Sequence, residues 1–311
     1  MSKSVTTPNL AVRLSGAVWG HLVGDAMGVP YEFRSPLDLG DVVFGAKGTH
    51  NQPVGTWSDD GALMLALLDS LLSKGFDPTD QATRILAWYK KGAYAPGGLV
   101  FDVGNTTSRA VSQISSGVDA ISAGPTEEDA CGNGSLMRIL PITLVGRGLS
   151  PSEAVRQARL SSRVTHGHLL PQMACALYTL TCQELIVNGS SPSEAAPRAN
   201  ATLFRLLKKD GDMAALAALE RLSDYTGPLT GTGYVVDAFR SAYAAFQGAN
   251  SYADTIERAI RYGHDTDTTA AIAGGMAGIY YGLNAIPEEW LSRMRGKDIA
   301  GPLIERLLDT I

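Results

Sequence analysis

Along the chain, apolar positions recur at helical spacing rather than strand spacing. Leu10, Leu14, Ala17, Val18, Leu22 and Ala26 fall near a 3.6-residue period and predict a helix over 9–28, stopped by Pro30. Residues 34–55 are rich in Gly and Pro, have no period, and read as a long loop. Asp77-Pro78 opens a helix to about Lys91, with Asp77 as cap and Pro78 at the first helical position. A glycine-rich loop over 92–100, a helix to about Ser115 and a polar loop over 116–130 follow, and Cys131 to Arg138 is expected to run into a further helix. Ser150-Pro-Ser-Glu153 and Ser191-Pro-Ser-Glu194 read as capping boxes for helices over 151–162 and 192–209, with another helix over about 168–187 between them. Further helices are expected over 212–222, 233–246, 251–262 and about 298–309. No clear period-2 stretch occurs. The expected fold class is all-α, as a single domain over 1–311 with its core at about 9–310.

Two stretches depart from the amphipathic pattern in the same way. Gly55 to Leu72 opens with Ser58-Asp59-Asp60 and continues as an almost wholly apolar helix; Tyr262 to Tyr281 opens with Asp265-Thr-Asp267-Thr268-Thr269 and continues the same way. A single Asp or Ser at either start would be an ordinary helix cap. Paired carboxylates at two helix starts exceed what capping needs and repel each other unless a cation lies between them. A dinuclear cation site is therefore the stronger reading. The second helix contains Ala270, Ala271, Gly274, Gly275, Ala277 and Gly278. Each glycine costs a helix about 1 kcal/mol relative to alanine, so this run signals close packing against a neighbour.

Three loops carry further candidate chemistry. Glu32 lies between Tyr31 and Phe33, beyond Pro30, and reads either as a surface acid or as a site acid. Asp102 and Asn105 flank Gly104, and Asn105 either caps the next helix or points into a pocket. Gly132-Asn133-Gly134-Ser135 permits close backbone approach to a ligand, and amides at a following helix start would suit a phosphate, although Gly-Asn-Gly also marks ordinary turns. Thr165-His166-Gly167-His168 has no Cys or Glu at metal-ligand spacing, which disfavours zinc and leaves His166 as a ligand-contacting residue.

Composition narrows the function classes. The net charge of −5 provides no basic footprint for nucleic acid. No run reaches the roughly 18 uninterrupted apolar residues of a membrane span, and Met1 to Pro8 lacks the apolar core of a signal peptide. Cys131, Cys175 and Cys182 cannot all pair, and none forms a C-x-x-C, so a reduced cytoplasmic compartment is expected.

Taken in order, Gly24-Asp25-Ala26 through Glu32, Trp57-Ser-Asp-Asp60, Asp102-Val-Gly-Asn105, Gly132 to Arg138, Thr165-His166, Gly233-Tyr-Val-Val236 and Asp265-Thr-Asp-Thr268 resemble the ADP-ribosylglycohydrolase family over roughly residues 12–283. The resemblance implies an all-α hydrolase with two Mg²⁺ or Mn²⁺ ions. Ser58, Asp59 and Asp60 would be ligands from one side, and Asp265, Asp267 and Thr268 from the other. It further implies Asp102 and Glu32 as catalytic acids, which the sequence does not rank. Asn105, Gly132, Asn133, Gly134, Ser135, His166 and Tyr234 would bind substrate. Hydrolysis of ADP-ribose from a protein is expected, from arginine first and from serine or another O-linkage as the alternative. ADP-ribose is the product, and an inactive binding or structural homologue is the competing class. A glycosyltransferase using Asp265-x-Asp267 ranks third, because such motifs usually follow a strand. Two positions depart from the family pattern. Gly61 stands where Thr is usual, and restoring Thr is expected to raise stability or activity modestly. Ala130-Cys131 precedes the Gly-Asn-Gly loop and is expected to change the shape of the diphosphate pocket.

Overall fold

The structure, a computed structural model, describes residues 8–311; the N-terminal stretch read above for a leader lies, through Thr7, outside them. The first half is helical over α1 (Leu10–Gly28), α2 (Asp59–Lys74), α3 (Pro78–Lys91), α4 (Asn105–Ser115), α5 (Pro141–Val145) and α6 (Pro151–Arg163). The second half adds α7 (Leu169–Ile186), α8 (Ala195–Asp210), α9 (Met213–Ser223), α10 (Val235–Gln247) and α11 (Tyr252–Ile260), then α12 (Thr266–Tyr281), α13 (Glu288–Arg293) and α14 (Lys297–Leu308). Among the described residues the only β-type pairing is an isolated bridge between Gly132 and Tyr234, so the all-α expectation holds. No helix among them is long and apolar enough to cross a membrane.

The centre of the molecule is α1 against α12, and the contact is backbone on backbone. Gly16, Gly20, Gly24 and Gly28 recur every fourth residue along one face of α1. A Cβ at Gly16 would lie 2.5 Å from the Gly278 carbonyl oxygen, at Gly20 2.5 Å from that of Gly274, at Gly24 2.2 Å from that of Ala270, and at Gly28 2.3 Å from the Asp267 Cα. The small residues of α12 thus have a partner stripe on α1, which its apolar period had not disclosed. One hydrogen bond fixes the register, Thr266 Oγ1 donating to the Gly28 carbonyl (2.8 Å), and Tyr252 Oη of α11 donates to that of Gly20 (2.6 Å). The consequence is positional: the acid-bearing start of α12 lies beside the end of α1.

Asp25 of α1 also captures the start of α2. Its carboxylate accepts the backbone N–H groups of Ser58 (2.9 and 3.0 Å) and Gly61 (2.8 Å), two of the donors that a helix start leaves unpaired. One residue of α1 therefore aims Asp59 and Asp60 toward Asp265 and Asp267. Gly61 has no room for a larger residue. A Cβ there would lie 2.8 Å from Leu22 Cδ2 and 2.8 Å from Trp57 Cγ, and Leu22 and Trp57 are fully buried. The expectation that threonine would improve this position is corrected: the site is closed.

Three further differences from the sequence reading have local causes. Residues 134–138 form a turn, not the start of a helix, and the helix begins at Pro141. Proline has no N–H to donate to the Met137 carbonyl, so a continuous helix is interrupted there. At Ser191 the hydroxyl donates to the Glu194 carboxylate (2.7 Å) instead of capping, and α8 starts only at Ala195. The short α13 went unread because six residues carry no usable period. It anchors the 34–55 loop, with Trp290 stacked on Phe44 at 6.1 Å and the Arg293 guanidinium over the same ring.

Candidate active site

Where the starts of α2, α4 and α12 converge, a cavity of about 450 Å³ opens to the surface. Glu32, Asp59, Asp60, Asp102, Asn105, Gly132, Asn133, Gly134, His166, Asp265 and Thr268 line it, together with Phe33, Thr106, Thr107 and Met137. Most of the residues singled out from sequence thus meet in one place. Ser58 and Asp267 lie just behind the surface. Ser58 Oγ accepts the Asp60 N–H (3.2 Å) and donates to Asp60 Oδ2 (3.3 Å). Asp267 Oδ1 accepts the N–H of Thr268 (2.9 Å).

Two expected residues are not brought to the cavity. Ser135 is fully buried, and its hydroxyl is shared with Ser162 Oγ (2.9 Å) and Cys175 Sγ (3.4 Å); the turn carries it inward. Tyr234 directs its ring to the Arg221 guanidinium. Its backbone is nonetheless useful: Asn133 N–H donates to the Gly233 carbonyl (3.0 Å) and Val235 N–H to that of Cys131 (3.0 Å), so the two loops are laced together. The amides of residues 132–134 therefore belong to a turn held by a neighbouring loop rather than to a helix start. Asn105 is the first residue of α4, with Gly104 in the cap position, and it lines the cavity instead of capping.

One wall is acidic. Asp25, Glu32, Asp59, Asp60, Asp102 and Asp267 all have carboxyl groups pushed up by burial, and mutual repulsion adds to this. Asp25 reaches about 7 even though backbone N–H groups pull it down. Glu32 reaches about 10, raised by burial first and then by Asp102, Asp265 and Asp25. No lysine or arginine among the described residues lines the cavity. Glu32, Asp265 and Asp267 each offer an oxygen within 4.8 Å of the others. Thr268 Oγ1 links α12 to Asp60 Oδ2 at 3.2 Å. Asp60 Oδ1 and Asp267 Oδ2 are buried with no hydrogen-bond partner. Buried carboxyl oxygens without a partner are rare, and an unplaced cation is one of their standard explanations. An all-oxygen donor set of carboxylates and hydroxyls suits hard divalent cations such as Mg²⁺ or Mn²⁺. The residues present therefore fit the metal group expected from sequence.

His50 is the principal residue the sequence reading missed. It lies in the aperiodic 34–55 loop, where nothing local marks it. Its Nε2 contacts Glu32 Oε2 closely and lies 4.0 Å from Asp102 Oδ1. Its ring packs against Phe33 and Phe101. It joins the two acids that the sequence left unranked. Those acids differ in depth: the Glu32 side chain is 4% exposed and that of Asp102 is 22% exposed. Asp102 and Phe33 both adopt left-handed backbone (φ 57° and 63°), uncommon for residues with a Cβ and a frequent mark of functional loops.

The opposite wall is neutral. Asn133 Nδ2 donates to Asp265 Oδ2 (2.8 Å) where the two walls meet. His166 is 2% exposed, with Nδ1 3.0 Å from Thr165 Oγ1, and its ring edge faces Gly132 and Gly134. His168 diverges from it, toward Cys131 Sγ (3.2 Å) and Glu128 (3.4 Å), so the two histidines do not form a shared metal site.

The sequence pattern of the ADP-ribosylglycohydrolase family matches residues 6–311. The chain is 30% identical over 309 residues to the ADP-ribosylarginine hydrolase Tri1 of Pseudomonas putida (strain GB-1), covering 97% of this chain and 80% of that one. It is 28% identical to the ADP-ribosyl-[dinitrogen reductase] glycohydrolase of Rhodospirillum rubrum, over 93% and 92% of the two chains. It is also 28% identical to the ADP-ribosylhydrolase ARH3 of Bos taurus, over 95% and 92%. A solved structure described as an ADP-ribosylglycohydrolase-related protein complex superposes with a TM-score of 0.77 at 30% identity, covering 97% of this chain and 98% of that one. Sequence match, helical architecture and cavity agree, and the chain belongs to the ADP-ribosylglycohydrolase family.

Proposed function

We propose that the protein is a metal-dependent hydrolase that removes ADP-ribose from modified proteins, with arginine-linked ADP-ribose as the preferred substrate. The observation that carries this reading is the pairing, in one cavity, of a buried acid wall lacking any lysine or arginine with a glycine-lined neutral wall. The first suits a ribose held by two Mg²⁺ or Mn²⁺ ions. The second suits a diphosphate. Ser58, Asp59, Asp60, Asp265, Asp267 and Thr268 would hold the ions, which when bound would orient ribose hydroxyls and lower the pKa of a water. Asn105, Gly132, Asn133, Gly134 and His166 would hold the remainder of the ADP-ribose.

The bond broken joins ribose C1 to a guanidinium nitrogen, through a transition state of oxocarbenium character. The leaving side chain remains attached to a protein and must stay at the mouth. Asp102 is the more exposed acid and is assigned to protonate the departing nitrogen. Glu32 is deeper, beside Asp265 and Asp267, and is assigned to take the proton from water as the new C1–O bond forms. Glu32 keeps its proton while the surrounding acids are uncompensated, so its work as a base presupposes a loaded site. His50 holds it in place.

The test is to incubate the protein with arginine-, serine- and DNA-linked ADP-ribose under matched Mg²⁺ and measure free ADP-ribose. Release from arginine peptides should be fastest and should stop on exhaustive chelation. Equal or faster release from serine peptides overturns the arginine assignment, and full activity in demonstrably metal-free protein overturns the metal dependence. Serine linkage is the second reading, favoured by the position of Glu32 over the acid cluster.

A further inference from the structure

His166 ends a chain of buried polar groups whose other members, Arg138 and Thr165, have no part in the function proposed above. Arg138 is 1% exposed, and no carboxylate among the described residues is hydrogen-bonded to it. Its Nη2 donates to the Ser161 carbonyl (2.8 Å) and to Thr165 Oγ1 (2.9 Å). The Thr165 hydroxyl in turn lies 3.0 Å from His166 Nδ1. An arginine only donates, so Thr165 Oγ1 must accept from it. The hydroxyl proton is then free for one acceptor, and among the described residues His166 Nδ1 is the one within reach. A neutral imidazole that accepts at Nδ1 carries its proton at Nε2.

We infer that Arg138 and Thr165 are positioning residues that fix His166 as the Nε2–H tautomer, presenting a hydrogen-bond donor beside Gly132 and Gly134 to an acceptor oxygen of the ligand's diphosphate. The identity of that ligand rests on the function proposed above; the tautomer does not. The backbone that carries the ring is pinned as well. His166 N–H donates to the Ser162 carbonyl (2.7 Å), and Ser162 Oγ donates back to that of His166 (3.1 Å). A Cβ at Gly134 would lie 2.9 Å from Cε1 and 3.3 Å from Nε2, and one at Gly132 3.5 Å from Nε2. Both glycines leave the Nε2 edge uncovered. Burial and the nearby Arg138 charge hold the imidazole down at about 3, so the ring stays neutral and Arg138 acts through the hydroxyl. A fixed neutral donor contributes to anion binding without bringing a cation that would compete for the acid wall across the cavity.

The tautomer is read directly from two-dimensional ¹⁵N–¹H spectra of the full-length, histidine-labelled protein, with His166→Gln assigning the signal. Unprotonated Nδ1 and protonated Nε2 are expected at pH 7. In Thr165→Val, Nδ1 should move to the value of a nitrogen without a hydrogen bond, or both nitrogens to a tautomer mixture. ADP-ribose should then bind about tenfold more weakly by calorimetry, and Thr165→Ser should restore both readings. Protonated Nδ1 in the unsubstituted protein overturns the inference, as does a Thr165→Val protein whose His166 spectrum and ADP-ribose affinity are both unchanged. Thr165→Val is nearly isosteric and leaves Arg138 its bond to Ser161, so it tests the relay even if Arg138→Met fails to fold. Absence of ADP-ribose binding by the unsubstituted protein would count against the proposed substrate, and the spectra would still decide the tautomer.

Discussion

The two walls of the cavity solve opposite problems. The acid wall brings carboxylates from α1, α2, α12 and two loops together without a matching lysine or arginine, and leaves Asp60 Oδ1 and Asp267 Oδ2 with no partner. The neutral wall ties its polar groups to one another, from Arg138 through Thr165 to His166 and from Ser135 through Ser162, although Arg138 Nε behind it has no partner among the described residues. On the proposed reading, the first is completed by a cation. The second is linked beforehand and offers a preformed edge. A preorganised wall costs little at the moment of binding, whereas an uncompensated one makes the apo protein pay in stability.

The sharpest way to break the comparison is to remove one acid. Asp59→Asn or Asp265→Asn should lower divalent-cation affinity and ADP-ribose release by more than roughly 100-fold, beyond what loss of an outer partner of a metal ligand costs, while circular dichroism stays helical. Cation titration by calorimetry decides it, and wild-type affinity in both variants would remove the cation assignment. Next in size is a change at the helix contact that supports the acid wall. Gly24→Ala forces a Cβ to 2.2 Å from a backbone oxygen and should cost about 1–3 kcal/mol or more. Gly301→Ala in α14, with nothing within 4 Å, should gain about 1 kcal/mol. Urea unfolding of the pair measures the contrast.

A third prediction concerns Gly61→Thr, which should destabilise by about 1–3 kcal/mol through crowding of Leu22 and Trp57; a raised melting temperature would refute it. The smallest expected effect is on pH dependence without cations. Asp25 at about 7 and Glu32 at about 10 bind protons in the folded state that the unfolded chain, near 3.8 and 4.5, has already lost. Their contribution is therefore full at low pH and disappears as pH rises through those values. His21 and His166, held down at about 4 and 3, contribute with the opposite sign, and only below 6.5. Between pH 6.5 and 9 the carboxyl groups decide, and metal-free protein should melt at progressively lower temperature. Saturating Mg²⁺ or Mn²⁺ should flatten the slope. A metal-free melting temperature that rises across this window would contradict the account.

Legibility in the sequence follows the same division. The acid wall was readable because it is local: Ser58-Asp59-Asp60 and Asp265-Thr-Asp267 each crowd charge into three residues at the start of an apolar helix, and the small residues of α12 announced a close neighbour. The α1 stripe of Gly16, Gly20, Gly24 and Gly28 was equally present, but the apolar period running beside it already accounted for the helix. His50 was invisible because its partners are Glu32 and Asp102, 18 and 52 positions away, in loops without periodicity. The neutral wall was half readable. Gly132-Asn133-Gly134 signalled backbone approach, but Pro141 decided that the segment would turn rather than coil, and that depended on which carbonyl needed an N–H. Ser135 and Tyr234 sit in the right loops with side chains turned elsewhere, a matter of rotation that spacing alone does not specify.

The glycine stripe also limits how the acid wall can change. Where two helices touch through side chains, their separation and register can be adjusted by a methyl group at a time. Here main chain meets main chain, with glycines on α1 every fourth residue and main-chain atoms of α12 opposite them. The next register that offers the same fit lies four residues away, about 6 Å along the helix. The spacing between the Asp25-held start of α2 and the start of α12 is therefore digital: it has one working value, and the nearest alternative dismantles the cluster.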